Sequence, residues 1–313
     1  MPALPPTPKT LSPRAMLALI LVLTIARVAL LIVTPLNLHG DEAQYWHWSR
    51  TLDWGYFSKP PLIAWAIRFT TTLFGNDEWA VRLAAPLAQG AAATILYFLA
   101  RRLYGDAAGM WAAIGWALMP GVQLSSVIIS TDALMLPLWA AGLYCAWRLI
   151  ETRASAWAIG LGIALGFTVL AKYAGFYFLI GAALACLMSA RARSAILSMN
   201  GLIALVIAAL VISPNIIWNA THNFETVKHT ASNTDIGGSL FHPESLFFFL
   251  SEQLGVLGPL LFGALIFLFV DAARRRKALD ERDRFLLAFA TPALAIICAQ
   301  ALISRANANW AVA

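Results

Sequence analysis

Charge is scarce in this sequence. Of its 313 residues 12% are Asp, Glu, Lys or Arg, and 60% are hydrophobic. Soluble domains carry about 25% charged residues, so a water-soluble globular chain is excluded and a polytopic membrane protein is expected. Cysteine is scarce too. Cys145, Cys186 and Cys298 all lie inside apolar runs, where they read as small core hydrophobes. There is no CxxC pair and no disulfide framework. There is no P-loop and no GxGxxG turn opening a helix after a strand, so nothing provides for ATP or a nucleotide-sugar. The net charge of +6 would suggest nucleic acid in a soluble chain. In a membrane chain it follows from basic residues collecting in cytoplasmic loops, and no nucleic-acid partner is expected.

What the chain does have is long apolar runs. At about 20 residues per span, nine helices are predicted, over 15–35, 80–100, 107–126, 132–150, 156–172, 174–190, 195–217, 246–270 and 285–304. The Pro-rich residues 1–14 read as a cytoplasmic tail, and 15–313 as one transmembrane catalytic domain. The first run reads as a retained helix, because no small-x-small cleavage site follows it.

With the N-terminus inside, fourteen of the 22 basic residues fall in inner loops. They are Lys9, Arg14, Arg101, Arg102, Arg148, Arg153, Arg191, Arg193 and the six from Arg274 to Arg284. Seven fall outside, namely Arg50, Lys59, Arg68, Arg82, Lys172, Lys228 and Arg305, and Arg27 lies within the first span. This orientation puts two polar segments, 36–79 and 218–245, on the outer face. Asp132 then opens the fourth span at its outer end and Lys172 closes the fifth at its outer end. The ionisable residues converge on one face, and a site is expected there. Residues 61–75 are too short to span; they are expected to lie in the interface as an amphipathic helix, with the Trp and Tyr residues of 45–57 beside them.

Each candidate for chemistry has a structural reading beside the functional one. Asp41 and Glu42 read either as a general base or as acids placed in a first helical turn by the dipole. Lys59, in SKPP, reads as a point charge for a lipid phosphate or as a snorkelling lysine. Asp132, in STDA, reads as an N-cap or as an acid lining a cavity. Lys172, in LAKYAGF, is a turn residue or faces Asp41 or Asp132 across an outer cavity. The stretch 213–230 holds Asn215, Asn219, His222, Lys228 and His229. Its histidines, seven apart, share a face on a continuous helix, but two histidines do not make a zinc site. Asn219-Ala220-Thr221 also matches the glycosylation acceptor pattern. Glu252 and Gln253 are expected to face the cavity. A site on the outer face meets no cytosolic nucleotide, so its donor must come through or within the membrane, as a lipid-linked donor does.

The block GDEAQYWHWSRTLDWGYFSKPPLIAW, followed by VRL at 81–83, STDA, LAKYAGF and PNIIWN with histidines after it, resembles the bacterial branch of the protein-mannosyltransferase-like superfamily. These are glycosyltransferases of the GT-C fold that use a polyprenyl-phosphate sugar. The chain is most similar to the aminoarabinose and galacturonic acid transferases of lipid A and lipopolysaccharide core, over nearly its whole length. The resemblance implies an all-α GT-C-type transmembrane helix bundle with a large first outer loop. It implies a multi-pass protein of the bacterial inner membrane with a periplasmic site, a polyprenyl-phosphate-sugar donor and a glycolipid acceptor. It implies Asp41 as the base that activates the acceptor, with Glu42 beside it, and Asp132 as a second acid with Lys172 as its charge partner. Lys59 is expected on the donor phosphate, with Tyr45, Asn219, His222, Lys228 and His229 contributing to donor or substrate binding.

Two departures stand out. In the aminoarabinose transferases a glutamate before the lysine helps hold a divalent metal with a loop histidine; here it is Ser58, so the metal stays open and so does a galacturonosyl-type or other sugar. The family also continues into further spans and often an outer domain, so this chain is expected to be a shortened form. A protein acceptor is the alternative within the class. A lipid or solute transporter, with Asp132 and Lys172 as relay, is the alternative outside it; that fold needs midplane charges and paired broken helices.

Overall fold

In a bilayer the backbone polar groups of an apolar run have partners only within the run, so the run becomes a helix. The computed structural model describes residues 10–232, 241–275, 278–304 and 306, and every regular element among them is helical. After α1 (Pro13–Val33), the first loop carries α2 (Gly40–Ser49) and α3 (Leu62–Phe74). A short α4 (Glu78–Arg82) leads into α5 (Ala84–Tyr104). Next come α6 (Asp106–Leu118), α7 (Pro120–Ser125), α8 (Thr131–Thr152) and α9 (Ser155–Ala171). A 3-10 turn at Tyr173–Phe176 opens α10 (Tyr177–Met188), and α11 (Ala190–Ile196), α12 (Met199–Thr221) and α13 (Glu225–Ser232) follow. The described chain closes with α14 (Pro243–Leu257), α15 (Pro259–Arg275) and α16 (Glu281–Ile303).

Among the described residues five helical units are long and apolar enough to cross a membrane: α1, Glu78–Tyr104, α8, α12 and α16. α9 and Tyr173–Met188 are shorter apolar helices. The run 61–75, expected to lie in the interface, is a single short apolar helix, α3.

Two of the nine predicted spans are interrupted. The run 246–270 is two helices, α14 and α15, bent by 118°. The break sits at Gly258, whose φ of 77° suits glycine, and Pro259 has no N–H to continue the ladder. The run 107–126 ends its helix at Leu118, and Pro120 starts α7. The two interruptions touch. A Cβ added at Gly258 would stand 3.4 Å from the Pro120 ring, and one at Gly121 would stand 2.9 Å from Val256.

α9 packs against both α8 and α12. Gly162 and Gly166, one turn apart, form its contact with α12. A Cβ at Gly162 would lie 2.5 Å from the Ala204 carbonyl oxygen, and one at Gly166 would lie 2.6 Å from Val211 Cβ. Helices pack closely in membranes where such small residues let the backbones approach. The first loop is seated by Tyr45, Ile63, Ile67, Val81, Ile129 and Met135, which join α2 and α3 to α4 and α8. At the end of α8 far from Asp132, Arg102 pairs with Glu151 at 2.9 Å. There Arg282 also donates to the Leu103 carbonyl at 2.6 Å and Arg153 to the Arg191 carbonyl at 2.9 Å. Arg102, Arg153, Arg191 and Arg282, all expected in inner loops, thus gather at one end of the bundle, and Asp132 and Lys172 lie at the other.

Overpacking a tight helix contact costs about 1–3 kcal/mol. Gly162→Ile is therefore expected to lower the unfolding temperature of the detergent-solubilised protein. An unchanged melting curve would show that the α9–α12 approach tolerates a β-branched side chain.

Candidate active site

Asp41 and Glu42 are adjacent, yet α2 points them to different places. The helix starts because His39 is extended and the third helical residue, Glu42, reaches back with Oε2 to accept the His39 N–H at 2.9 Å, one arm of a capping box. Glu42 is 0% exposed. It also accepts from Arg82 Nε at 2.9 Å, Arg82 Nη2 at 2.7 Å and the Ile129 N–H at 2.9 Å. Arg82 spends its remaining donors on the Leu36 and Asn37 carbonyls, both at 2.8 Å. Burial by itself would raise the Glu42 pKa, but the hydrogen bonds from Arg82, His39 and Ile129 outweigh it and hold the carboxyl below the usual range. This corrects the expectation that Glu42 is catalytic, since its oxygens are committed to four donors and closed to solvent.

Asp41 is exposed at the same helix start, and no described residue hydrogen-bonds its carboxylate. Tyr45 stands one turn on and is buried. Its hydroxyl pKa is raised first by burial and then by the charges of Asp41 and Asp132. Lys59 is half-buried where the loop meets Pro60-Pro61. Its pKa is lowered, by burial first and then by Lys172, against the opposing pull of Asp41 and Asp132. Lys172, the C-cap of α9, donates Nζ to Asp132 Oδ1 at 2.6 Å. Asp132 does not cap α8; that role falls to Ser130, whose Oγ accepts the Ala133 N–H at 3.2 Å. Asp41, Lys59, Asp132 and Lys172 thus form one cluster: the charges of the other three act on Lys59, and those of Asp41 and Asp132 on Tyr45.

At Asp132 the cluster meets a cavity of about 1000 Å³, lined by α7, α8, α14, α15 and α16. Its wall is apolar, and Asp132 is its sole charged lining residue among the described ones. The contacting breaks of α6–α7 and α14–α15 form part of that wall. Gln253 lines it as expected, whereas Glu252 is exposed.

The second outer segment reaches the site through its asparagines. α12 runs on to Thr221, so Asn215 and Asn219 lie on its last turns and are buried. The Tyr173 hydroxyl donates to Asn215 Oδ1 and accepts from Asn219 Nδ2, each at 3.0 Å. Asn219 Oδ1 is buried with no hydrogen-bond partner among the described residues. The histidines do not share a helix face. Asn223 and Phe224 have φ of 54° and 56°, which breaks the chain between α12 and α13. His222 stacks on Trp218 at 4.1 Å, and His229 packs against Phe57 at 5.0 Å. Lys228 is exposed on α13. His229 meets the Lys59 loop at Phe57, His222 lies behind the Trp218 ring that Gly55 rests on, and none of the three is among the charges that act on Lys59.

Ser58 is buried and offers a hydroxyl where a carboxylate would be needed. Among the described residues no three His, Cys, Asp or Glu side chains converge as a ligand set.

The family model for dolichyl-phosphate-mannose-protein mannosyltransferase matches residues 58–218, just over half of the chain. The chain belongs to this mannosyltransferase family. Lys59, Asp132, Lys172 and Asn215 fall within the matched segment; Asp41 and Glu42 precede it. A lipid A galacturonosyltransferase of Rhizobium johnstonii is 38% identical over 307 residues, covering 96% of this chain and 63% of its own length. An undecaprenyl phosphate-α-4-amino-4-deoxy-L-arabinose arabinosyl transferase of Pseudomonas fluorescens is 27% identical over 172 residues, 48% of this chain and 29% of its own. The crystal structure of ArnT from Cupriavidus metallidurans bound to undecaprenyl phosphate superposes with a TM-score of 0.73. It is 18% identical, over 95% of this chain and 56% of that one. The expected all-α GT-C-type bundle is therefore the fold, in a multi-pass bacterial membrane protein. The chain spans less than two thirds of the length of these relatives.

Reading the sequence missed Arg82, counted there as a loop charge, and Tyr173. The signal for Arg82 was a guanidinium at the start of an apolar run with an unassigned acid upstream.

Removing one partner of a buried ion pair costs about 3–5 kcal/mol, whereas replacing both with apolar groups costs much less. Arg82→Met alone is expected to destabilise strongly, and the Glu42→Leu/Arg82→Met double variant to recover much of the loss in melting temperature. The Glu42 pKa is depressed, so its stabilisation is complete above the ordinary glutamate value. It is lost as pH falls through the lower folded value. A wild-type acid unfolding profile shared by Glu42→Gln would contradict this.

Proposed function

We propose that this protein is an integral-membrane glycosyltransferase. It moves a sugar of the galacturonosyl type from a polyprenyl-phosphate donor to lipid A, on the outer face of the bacterial inner membrane. The observation that carries the reading is Lys59: a desolvated ammonium with no hydrogen-bonded carboxylate among the described residues, acted on by the charges of Asp41 and Asp132, the second of which lines an apolar cavity. An ammonium in that state is stabilised by an anion, and an apolar cavity accepts the hydrocarbon chain attached to it.

In this reading the prenyl chain occupies the cavity and the donor phosphate sits on Lys59, with Lys172 held alongside by Asp132. Asp41 takes the proton of the acceptor hydroxyl as its oxygen attacks the anomeric carbon. The bond from that carbon to the phosphate oxygen breaks, polyprenyl phosphate leaves, and Lys59 faces its charge. Attack opposite the leaving group inverts the anomeric centre. The named activities of the galacturonosyl and aminoarabinose relatives and the undecaprenyl phosphate bound to ArnT support a lipid-linked donor. The orientation follows the positive-inside rule: the arginine-rich end is cytoplasmic and the charge cluster periplasmic. The touching helix breaks are a feature of transporters, but they surround an apolar cavity without a charge relay at their level.

General-base removal costs about 10²–10⁴ in rate. Asp41→Asn, at an exposed position, is expected to keep the wild-type melting temperature and to lose polyprenyl phosphate release by that factor in the purified enzyme. Wild-type turnover would assign the proton to another group. Affinity for the anionic donor is expected to fall as pH rises through the lowered Lys59 value, at lower pH than for an ordinary lysine. Lys59→Arg is expected to stay flat over the same range; parallel profiles for the two would remove Lys59 from the phosphate.

A further inference from the structure

Lys59 sits on a loop and Lys172 on a helix cap, so something must fix one against the other. Tyr173 follows Lys172 directly. Its hydroxyl lies between the side chains of Asn215 and Asn219, 3.0 Å from each. Asn215 passes the link on: its Nδ2 donates to the Trp54 carbonyl at 2.6 Å. Two residues further along, the Tyr56 carbonyl accepts from Thr226 Oγ1 of α13, also at 2.6 Å. Between them Gly55 lies flat on Trp218, where an added Cβ would be 2.4 Å from the indole. The Tyr56 N–H then donates to the Lys59 carbonyl at 3.2 Å, closing a turn that ends on Pro60-Pro61. A continuous chain of contacts therefore runs from the cap that carries Lys172, through two buried asparagines, to the turn that carries Lys59.

We propose that Tyr173 is a positioning residue: its hydroxyl sets the Lys59 turn relative to Lys172, and so shapes the seat for the donor phosphate without touching it. This rests on the lipid-donor reading above. A hydroxyl that ties the turn bearing Lys172 to Asn215 of α12, which in turn holds the loop bearing Lys59, has a role that packing alone does not require. Loss of one neutral hydrogen bond corresponds to about a five- to tenfold change in affinity.

The test uses the intact protein in lipid nanodiscs with undecaprenyl phosphate as the probe. Tyr173→Phe is expected to weaken binding about five- to tenfold, to raise the donor KM by the same factor, and to leave kcat at saturating donor within about twofold. In a Lys59→Ala background the same change is expected to have no further effect, because the hydroxyl acts through Lys59. Thr226→Val removes the hydroxyl that donates to the Tyr56 carbonyl and also bonds the Tyr173 hydroxyl; it is expected to behave alike and serves if Tyr173→Phe does not fold. Undiminished binding by both variants, or losses that multiply with that of Lys59→Ala, would overturn the proposal while leaving the lipid-donor reading intact. Failure of the wild-type protein to bind undecaprenyl phosphate would overturn both, and shows itself before any variant is made.

Discussion

A carboxylate and a guanidinium buried together at the end of the bundle that carries the site, Glu42 and Arg82, set the geometry on which the site depends. Glu42 is adjacent to Asp41 and accepts the N–H of Ile129, three residues before Asp132. Arg82 belongs to the start of a span and holds the Leu36 and Asn37 carbonyls. One ion pair therefore fixes the entry to α2, the start of α4–α5 and the approach to α8. Burying two charges is expensive, and such pairs are weak evidence for stability. Here every donor and acceptor of the pair near the site is matched, which is the condition under which burial is tolerated. What the pair supplies is register: Asp41 and Asp132 come from distant parts of the chain and face one space.

Above that anchor the charges divide their work. Two ammonium groups and two carboxylates make a nearly neutral cluster. Lys172 is committed to Asp132, and Asp132 borders the apolar cavity. In the proposed reading Lys59 and Asp41 remain for an anion and an acceptor. The cavity itself depends on broken helices. Irregular backbone at membrane depth persists only where protein covers it or it lines a cavity, and the Met119-Pro120 and Gly258-Pro259 breaks do both. The sequence pattern that costs the bundle two regular spans is the one that opens room for a chain-like ligand.

Much of this was legible in the order of residues. The helical runs, the short helix α3 and the convergence of Asp41, Lys59, Asp132 and Lys172 at one end follow from hydropathy and from basic-residue placement. The count of nine full spans does not hold, since among the described residues five helices, or six with the bent α14–α15 pair, are long and apolar enough to cross a membrane. Other signals were present and not used: Gly258-Pro259 is a strong turn dipeptide, and Gly162-x-x-x-Gly166 is a packing motif. The different fates of Asp41 and Glu42 were not legible. Neighbours on a helix point about 100° apart, so one of two adjacent acids can turn inward, but which one depends on where Arg82 lies in space. The pairing of Lys172 with Asp132 and the links through Tyr173 likewise join residues 40 or more positions apart, beyond any local pattern. The shared face expected for His222 and His229 failed for a local reason, the left-handed residues Asn223 and Phe224, which composition does not announce.

The most direct measurement is mass spectrometry of lipid A and core from cells with and without the gene. The account predicts that deletion removes the mass of one sugar residue from lipid A, that the wild-type gene restores it, and that the mass names the sugar. An unchanged lipid A and core profile would contradict the account and move the acceptor to another molecule.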